Sequence, residues 1–248
     1  MPEPIKRKIK LREIKRRLEP RGDIRERLIK HDDKWASVNG ESKRFKQIYF
    51  DDLNGWPIDH LKELARLGIT NPEIIIIGPM YGEDIIELTK HLQQFDIHPQ
   101  IDVFGLTKTI TPDVQKIVRN DFSSNIALET LGSLPEKYEH LVSAMKDKYN
   151  LLMCALSAGV HTDYPAHNVF FMAMMLRVNG QAYIELNMNL ESTIFNRHTN
   201  QYAIVKTIEY IKKLLPRMEK AYNLRYNTNY HFEIDELYPD YIRIRRVA

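Results

Sequence analysis

One cysteine in 248 residues, Cys154, leaves no possibility of an intrachain disulfide and no thiolate cluster for a metal. Glycine is scarce at 10 residues, and the pair Gly78 and Gly82 does not have the G-x-G-x-x-G spacing of a dinucleotide site. No Gly-Lys-Ser/Thr follows them, which excludes a P-loop. The longest apolar run, Val169 to Leu176, is far short of the roughly 20 residues that cross a bilayer. The first residues also lack the apolar core of a signal peptide, so a cytoplasmic protein with no membrane association is expected. Nine histidines include no H-E-x-x-H, and the trio His161, Asp163 and His167 is too poor a ligand set for a metal site to be expected.

What the chain does have is a stretch around which the rest can be ordered, Glu73 to Leu92. Four consecutive isoleucines, Ile74 to Ile77, cannot present a wet face, so they fit a strand covered on both sides, as in a parallel sheet. Gly78 ends the run. After Gly82, the residues Ile85, Leu88 and Leu92 recur at helical spacing and form one apolar stripe. Strand, turn and helix in this order place backbone N–H groups at the carboxyl end of the strand, the edge where open α/β sheets bind ligands. The same residues also suit a purely structural turn.

Net charge is only +3, but residues Met1 to Lys30 hold twelve Lys or Arg against five Asp or Glu. This local surplus suits either a phosphate backbone, making the arm an RNA-binding element, or a solvated amphipathic helix. Between Lys34 and Trp56, aromatic and basic residues interleave: Trp35, Lys43, Arg44, Phe45, Lys46, Tyr49, Phe50. Such residues can stack on single-stranded nucleic acid or seal an extension onto a core.

Further along, Gly68 is placed to end a helix over Pro57 to Leu67, and Gln100 to Leu106 alternates as a second strand. Leu151 to Leu156 supplies another buried strand, followed by the small, polar stretch Ser157 to Pro165. Asn168 is positioned to cap the next helix, and Asn179-Gly180 to turn the chain into a strand over Gln181 to Leu186. Ile204, Ile208, Ile211, Leu215, Met218 and Tyr222 step along a long helix containing Pro216, and two short strands, Tyr230 to Ile234 and Tyr241 to Val247, close the chain as an antiparallel hairpin.

Taken with their order, three segments carry a resemblance. IIIIGPMYGEDIIELTKHL resembles the first strand, glycine loop and helix of class I S-adenosylmethionine-dependent methyltransferases, LLMCALSAGVHTDYP is similar to their fourth strand and following loop, and MMLRVNGQAYIEL to their helix, glycine turn and fifth strand. The resemblance covers roughly Asn71 to Val247. It implies a Rossmann-like α/β fold, mostly parallel with a C-terminal antiparallel hairpin, over residues 71–248, with residues 1–70 as a basic helical extension. It implies S-adenosylmethionine as cofactor, near Gly78, Met80, Gly82, Thr107, Asp121 and Ser157, and puts His161, Asp163 and Tyr164 at the methyl acceptor. Asp121 aligns with the family's contact to the adenine amino group.

Three positions depart from the family pattern. Ile76 stands where an acid usually precedes the loop, Met80 where a glycine is usual, and Thr107 where an acid accepts from both ribose hydroxyls. No Asn/Asp-Pro-Pro-aromatic follows the fourth strand, and no Asp ends LLMCALS as a Lys-Asp-Lys-Glu ribose methyltransferase requires. Two functions therefore stand side by side: a methyltransferase, acting on RNA through the basic arm, and a catalytically silent relative that binds or scaffolds. An RNA-binding arm predicts that deleting residues 1–30 abolishes RNA retention and flattens the dependence of log affinity on log salt, measured by filter binding across a salt series.

Overall fold

The structure, a computed structural model, describes residues 44–79, 82–104, 110–122, 145–155, 165–186, 191–196, 201–237 and 240–248. Ile74 to Ile77 form the expected strand, β1 (Glu73–Ile77), and all four are buried. The strands that follow are β2 (Gln100–Phe104), β3 (Val118–Asp121), β4 (Tyr149–Cys154) and β5 (Leu176–Glu185), then β6 (Glu191–Asn196) and β7 (Gln201–Lys206), and finally β8 (Phe232–Leu237) and β9 (Tyr241–Arg246). Seven of them make one sheet in the order β3-β2-β1-β4-β5-β9-β8, while β6 and β7 pair antiparallel as a separate hairpin. β1 lies between β2 and β4 and is parallel to both. β9 is antiparallel to both of its neighbours, so β8 runs in the same direction as the other five.

Alternation along β1 divides the interior in two. Ile75 and Ile77 share one core with Leu152, Cys154, Ala182 and Ile184, covered by α4 (Pro165–Met174) and α5 (Thr207–Tyr226). Ile74 and Ile76 share the other with Leu151 and Met153, covered by α1 (Trp56–Arg66) and α2 (Glu83–Gln93), with Val114 of the short α3 (Pro112–Gln115) at its side. Burying each isoleucine side chain is worth about 1.5–3 kcal/mol, so β1 alone anchors both layers. A leading helical segment, 44–52, adds Phe45, Ile48 and Tyr49 to the second core. The aromatic residues of this stretch that the structure describes thus seal the chain onto the sheet, with Phe50 and Trp56 about one-third exposed at 37% and 38%.

Local signals operate where expected. Gly68, at φ 89°, follows α1, and the pair of bonds from Gly68 N–H to Ala65 O (2.9 Å) and Ile69 N–H to Leu64 O (2.9 Å) is a Schellman closure. Elsewhere tertiary context intervenes. Asn168 is not a cap: α4 already starts at Pro165, whose fixed φ suits a first turn, and Asn168 is buried. The Asn179-Gly180 turn is an excursion within β5, with Asn179 at φ 65° and the pairing stepping from Tyr149–Leu176 to Leu151–Gln181. A Cβ on Gly180 would lie 2.6 Å from Tyr149 O, which is why glycine is needed there. Ile204 belongs to β7, and the helix begins at Thr207. Among the described residues no helix is long and apolar enough to cross a membrane.

The amino-terminal half of the sheet is tied by one carboxylate. Asp102, fully buried on β2, accepts from Arg119 at 2.9 and 2.8 Å, Asn120 at 2.9 Å, Lys148 at 2.7 Å and the Tyr149 hydroxyl at 2.8 Å. Arg119 reaches on to Glu73 at the start of β1, so β1, β2, β3 and β4 meet in this network. Burial pushes the Asp102 carboxyl up, and the four donors outweigh it to hold it down to about 2. Because this lies below the ordinary 3.8, the ionised network contributes stability above pH 4 that is lost as pH falls toward 2. Asp102→Asn should therefore cost ~2 kcal/mol at neutral pH, and its difference from wild type in urea unfolding should shrink between pH 4 and pH 2.

Candidate functional site

The carboxyl ends of β1, β2, β3 and β4 emerge on a common edge. Ile77 is level with Phe104 and with Cys154, and Val103 is level with Asp121. Gly78 adds one rung to β1, its N–H donating to Phe104 O at 2.9 Å, before the chain turns left-handed at φ 69°. The Gly82 N–H donates to Pro79 O at 2.8 Å, which closes a tight turn. At φ 83° Gly82 then hands the chain to α2, where the Ile85 N–H bonds back to Gly82 O at 3.0 Å. Both glycines are buried, so the turn presents backbone where side chains would otherwise stand.

Gly78, Gly82 and Asp121 thus come to one edge, Asp121 at the exposed end of β3. Met80, Thr107, Ser157, His161, Asp163 and Tyr164 lie outside the described residues. Ile76 is buried beneath α2 with Ile85 and Leu88, so the position expected to hold an acid is part of the apolar core. Among the described residues no three His, Cys, Asp or Glu side chains are grouped to hold a metal.

Other residues arrive at this edge that the motif reading did not single out. Arg44, from the leading segment, is only 3% exposed, and its guanidinium donates to Gly78 O at 3.1 Å and reaches Ala155 O at 3.5 Å. Its Nε lies 3.7 Å from Asp84 Oδ2 in the first turn of α2. Burial raises the Asp84 carboxyl above its ordinary range, with Arg44 and the backbone N–H groups of α2 opposing the rise. At the end of β5, the Tyr241 hydroxyl donates to Glu185 Oε2 at 3.4 Å. Burial, then Glu185 and Asp52, push that phenol well up, so Tyr241 stays a neutral donor. The signal for Arg44 in sequence was its place among aromatics. The signal for Asp84, a first-turn acid, was indistinguishable from ordinary helix-dipole complementation.

A sheet ordered 3-2-1-4-5, extended by β9, antiparallel to both its neighbours, and by β8 beyond it, and covered by helices on both faces, is the Rossmann-like architecture expected of the class I methyltransferase resemblance. The glycine turn leaves its first strand at the edge where such folds take ligands. No protein-family model matches the chain, and no curated protein is similar to it. Solved structures that match include the 1,6-didemethyltoxoflavin-N1-methyltransferase of Burkholderia thailandensis, determined with S-adenosylhomocysteine, at 11% identity over 90% of this chain and 89% of that one, TM-score 0.42. The antibiotic-resistance methyltransferase Kmr matches at 14% identity over 75% of this chain and 91% of that one, TM-score 0.40. The CurJ carbon methyltransferase matches at 11% identity over 86% and 61%, TM-score 0.45. At these identities and scores the class of fold rests on the strand order itself.

Gly82 allows a direct check of the turn. An added Cβ would lie 2.8 Å from Val114 Cγ1 and 3.4 Å from Ile110 Cγ2, on a left-handed backbone. Gly68 shares that backbone but has nothing within 4 Å. Gly82→Ala should cost ~2–3 kcal/mol and Gly68→Ala ~1 kcal/mol in denaturant unfolding, the difference being the repacking against Val114.

Proposed function

We propose that this chain is an S-adenosylmethionine-dependent methyltransferase whose cofactor site is the carboxyl edge around Gly78 and Gly82. The observation that carries the reading is the pair of buried, left-handed glycines leaving the inner parallel strand β1 of this strand order. A side chain at Gly82 would collide with Val114, so glycine is what lets the chain pass from β1 into α2 in so short a turn. These residues fit a nucleoside cofactor with a charged amino-acid tail. Asp121 would accept from the adenine amino group, Thr107 would hydrogen-bond the ribose, and Met80 and Ser157 would border the tail.

The cofactor, when bound, supplies an electrophilic methyl group on a sulfonium. The chain's task is to align an acceptor lone pair with that methyl and to take the acceptor's proton. In this reading His161 or Asp163 takes the proton and Tyr164 orients the acceptor. RNA is the proposed acceptor, supported by the basic surplus of Met1 to Lys30, which would attract a polyanion.

A second reading, a methyltransferase-like protein that binds or scaffolds without catalysis, is favoured by Ile76, since an apolar residue stands where an acid is expected. Calorimetry separates the two. The wild type should bind S-adenosylhomocysteine at micromolar to sub-millimolar concentration, and Thr107→Asp should tighten it roughly tenfold by restoring a charged acceptor to the ribose. Absence of heat from both proteins at millimolar ligand would leave the scaffold reading.

A further inference from the structure

We infer that Arg44 is a positioning residue for the glycine turn, and that the leading helical segment is therefore part of the ligand site; this rests on the methyltransferase reading. Three elements meet at this edge: the end of β1, the end of β4 and the first turn of α2. Arg44 touches one atom of each, Gly78 O at 3.1 Å, Ala155 O at 3.5 Å and Asp84 Oδ2 at 3.7 Å. Gly78 and Ala155 follow directly on adjacent parallel strands, so one guanidinium nitrogen, Nη2, within reach of both carbonyls ties the two backbones where they leave the sheet. Asp84 begins the helix two residues after Gly82, so its pairing with Arg44 fixes how far the helix start stands from the strand end. Gly78 and Asp84 bracket the turn, and Arg44 holds both ends.

The hydrophobic residues beside Arg44 keep it in place. Phe45, Ile48 and Tyr49 are buried in the core beneath α2, with the Phe45 ring centroid 5.1 Å from that of Tyr49 and 5.8 Å from that of His91 on α2. The charge is thus delivered by a segment whose own packing leaves the guanidinium little freedom. Nη2 serves the two carbonyls while Nε faces Asp84, and a lysine, with one nitrogen, cannot occupy both places.

The test uses the full chain, with S-adenosylhomocysteine as the probe in calorimetry at 15 °C and thermal unfolding followed by circular dichroism. Arg44→Met strands Asp84 as a buried, unpaired acid and should lower the Tm. Arg44→Met combined with Asp84→Leu removes both charges and should recover most of that Tm. Both the double variant and Arg44→Lys should nevertheless bind the probe at least tenfold more weakly than wild type, which separates positioning from stability. Affinity within twofold of wild type in folded Arg44→Lys and in the double variant would overturn the role while leaving the methyltransferase reading intact. No heat from the wild type would overturn that reading and the role with it.

Discussion

Four consecutive isoleucines set the constraint on which the rest of this structure depends. Ile74 and Ile76 face one core, Ile75 and Ile77 the other, and all are at most 3% exposed. A strand that is apolar on both faces has to be roofed on both, so helices must be distributed to either side of the sheet. Crossing connections of that kind make neighbouring strands parallel, and parallel strands release all their loops at the same edge. The position of the candidate site is in this sense a consequence of hydrophobic burial, settled before any polar residue is considered.

The two edges of the sheet are built on opposite principles. At the amino-terminal edge Asp102 has five donor atoms on four residues, and its charge ties four strands together. A network so fully satisfied in a buried place favours rigidity. At the carboxyl edge the charged groups sit farther apart: Arg44 and Asp84 at 3.7 Å, Tyr241 and Glu185 at 3.4 Å. Left-handed backbone occurs there at Gly78 and Gly82. One end is tied by a fully satisfied carboxylate, and the other keeps the glycine turn and the looser charged contacts.

What could be read in advance divides along the range of the interactions involved. β1, the Schellman ending of α1 and the terminal hairpin were legible because each depends on residues a few positions apart: the isoleucine run, Gly68, and the short connector between β8 and β9. Ile204 was misassigned because its four-residue spacing to Ile208 matches a helical stripe, while the β-branched neighbours Ile204 and Val205 suit a strand equally well. At the candidate site, the glycines announced themselves by their effect on the backbone. Arg44 did so only weakly, by its place among aromatics, since its partners stand 34, 40 and 111 residues away.

The interleaving of β9 between β5 and β8 bears on how the chain is made. Among the described residues β8 pairs only with β9, and β9 is the neighbour of β5 on that side. On a ribosome, residues 232–237 therefore emerge with nothing to pair to, and the outer edge of β5 stays open until residues 241–246 have followed. Ile242 and Ile244 then enter the core between strands that are already synthesised. Among the described residues, only the outer sides of β3 and β8 are open in the finished sheet. A nascent chain paused short of Tyr241 also leaves open the outer side of β5 and the inner side of β8, and these are added sites for pairing with its own copies.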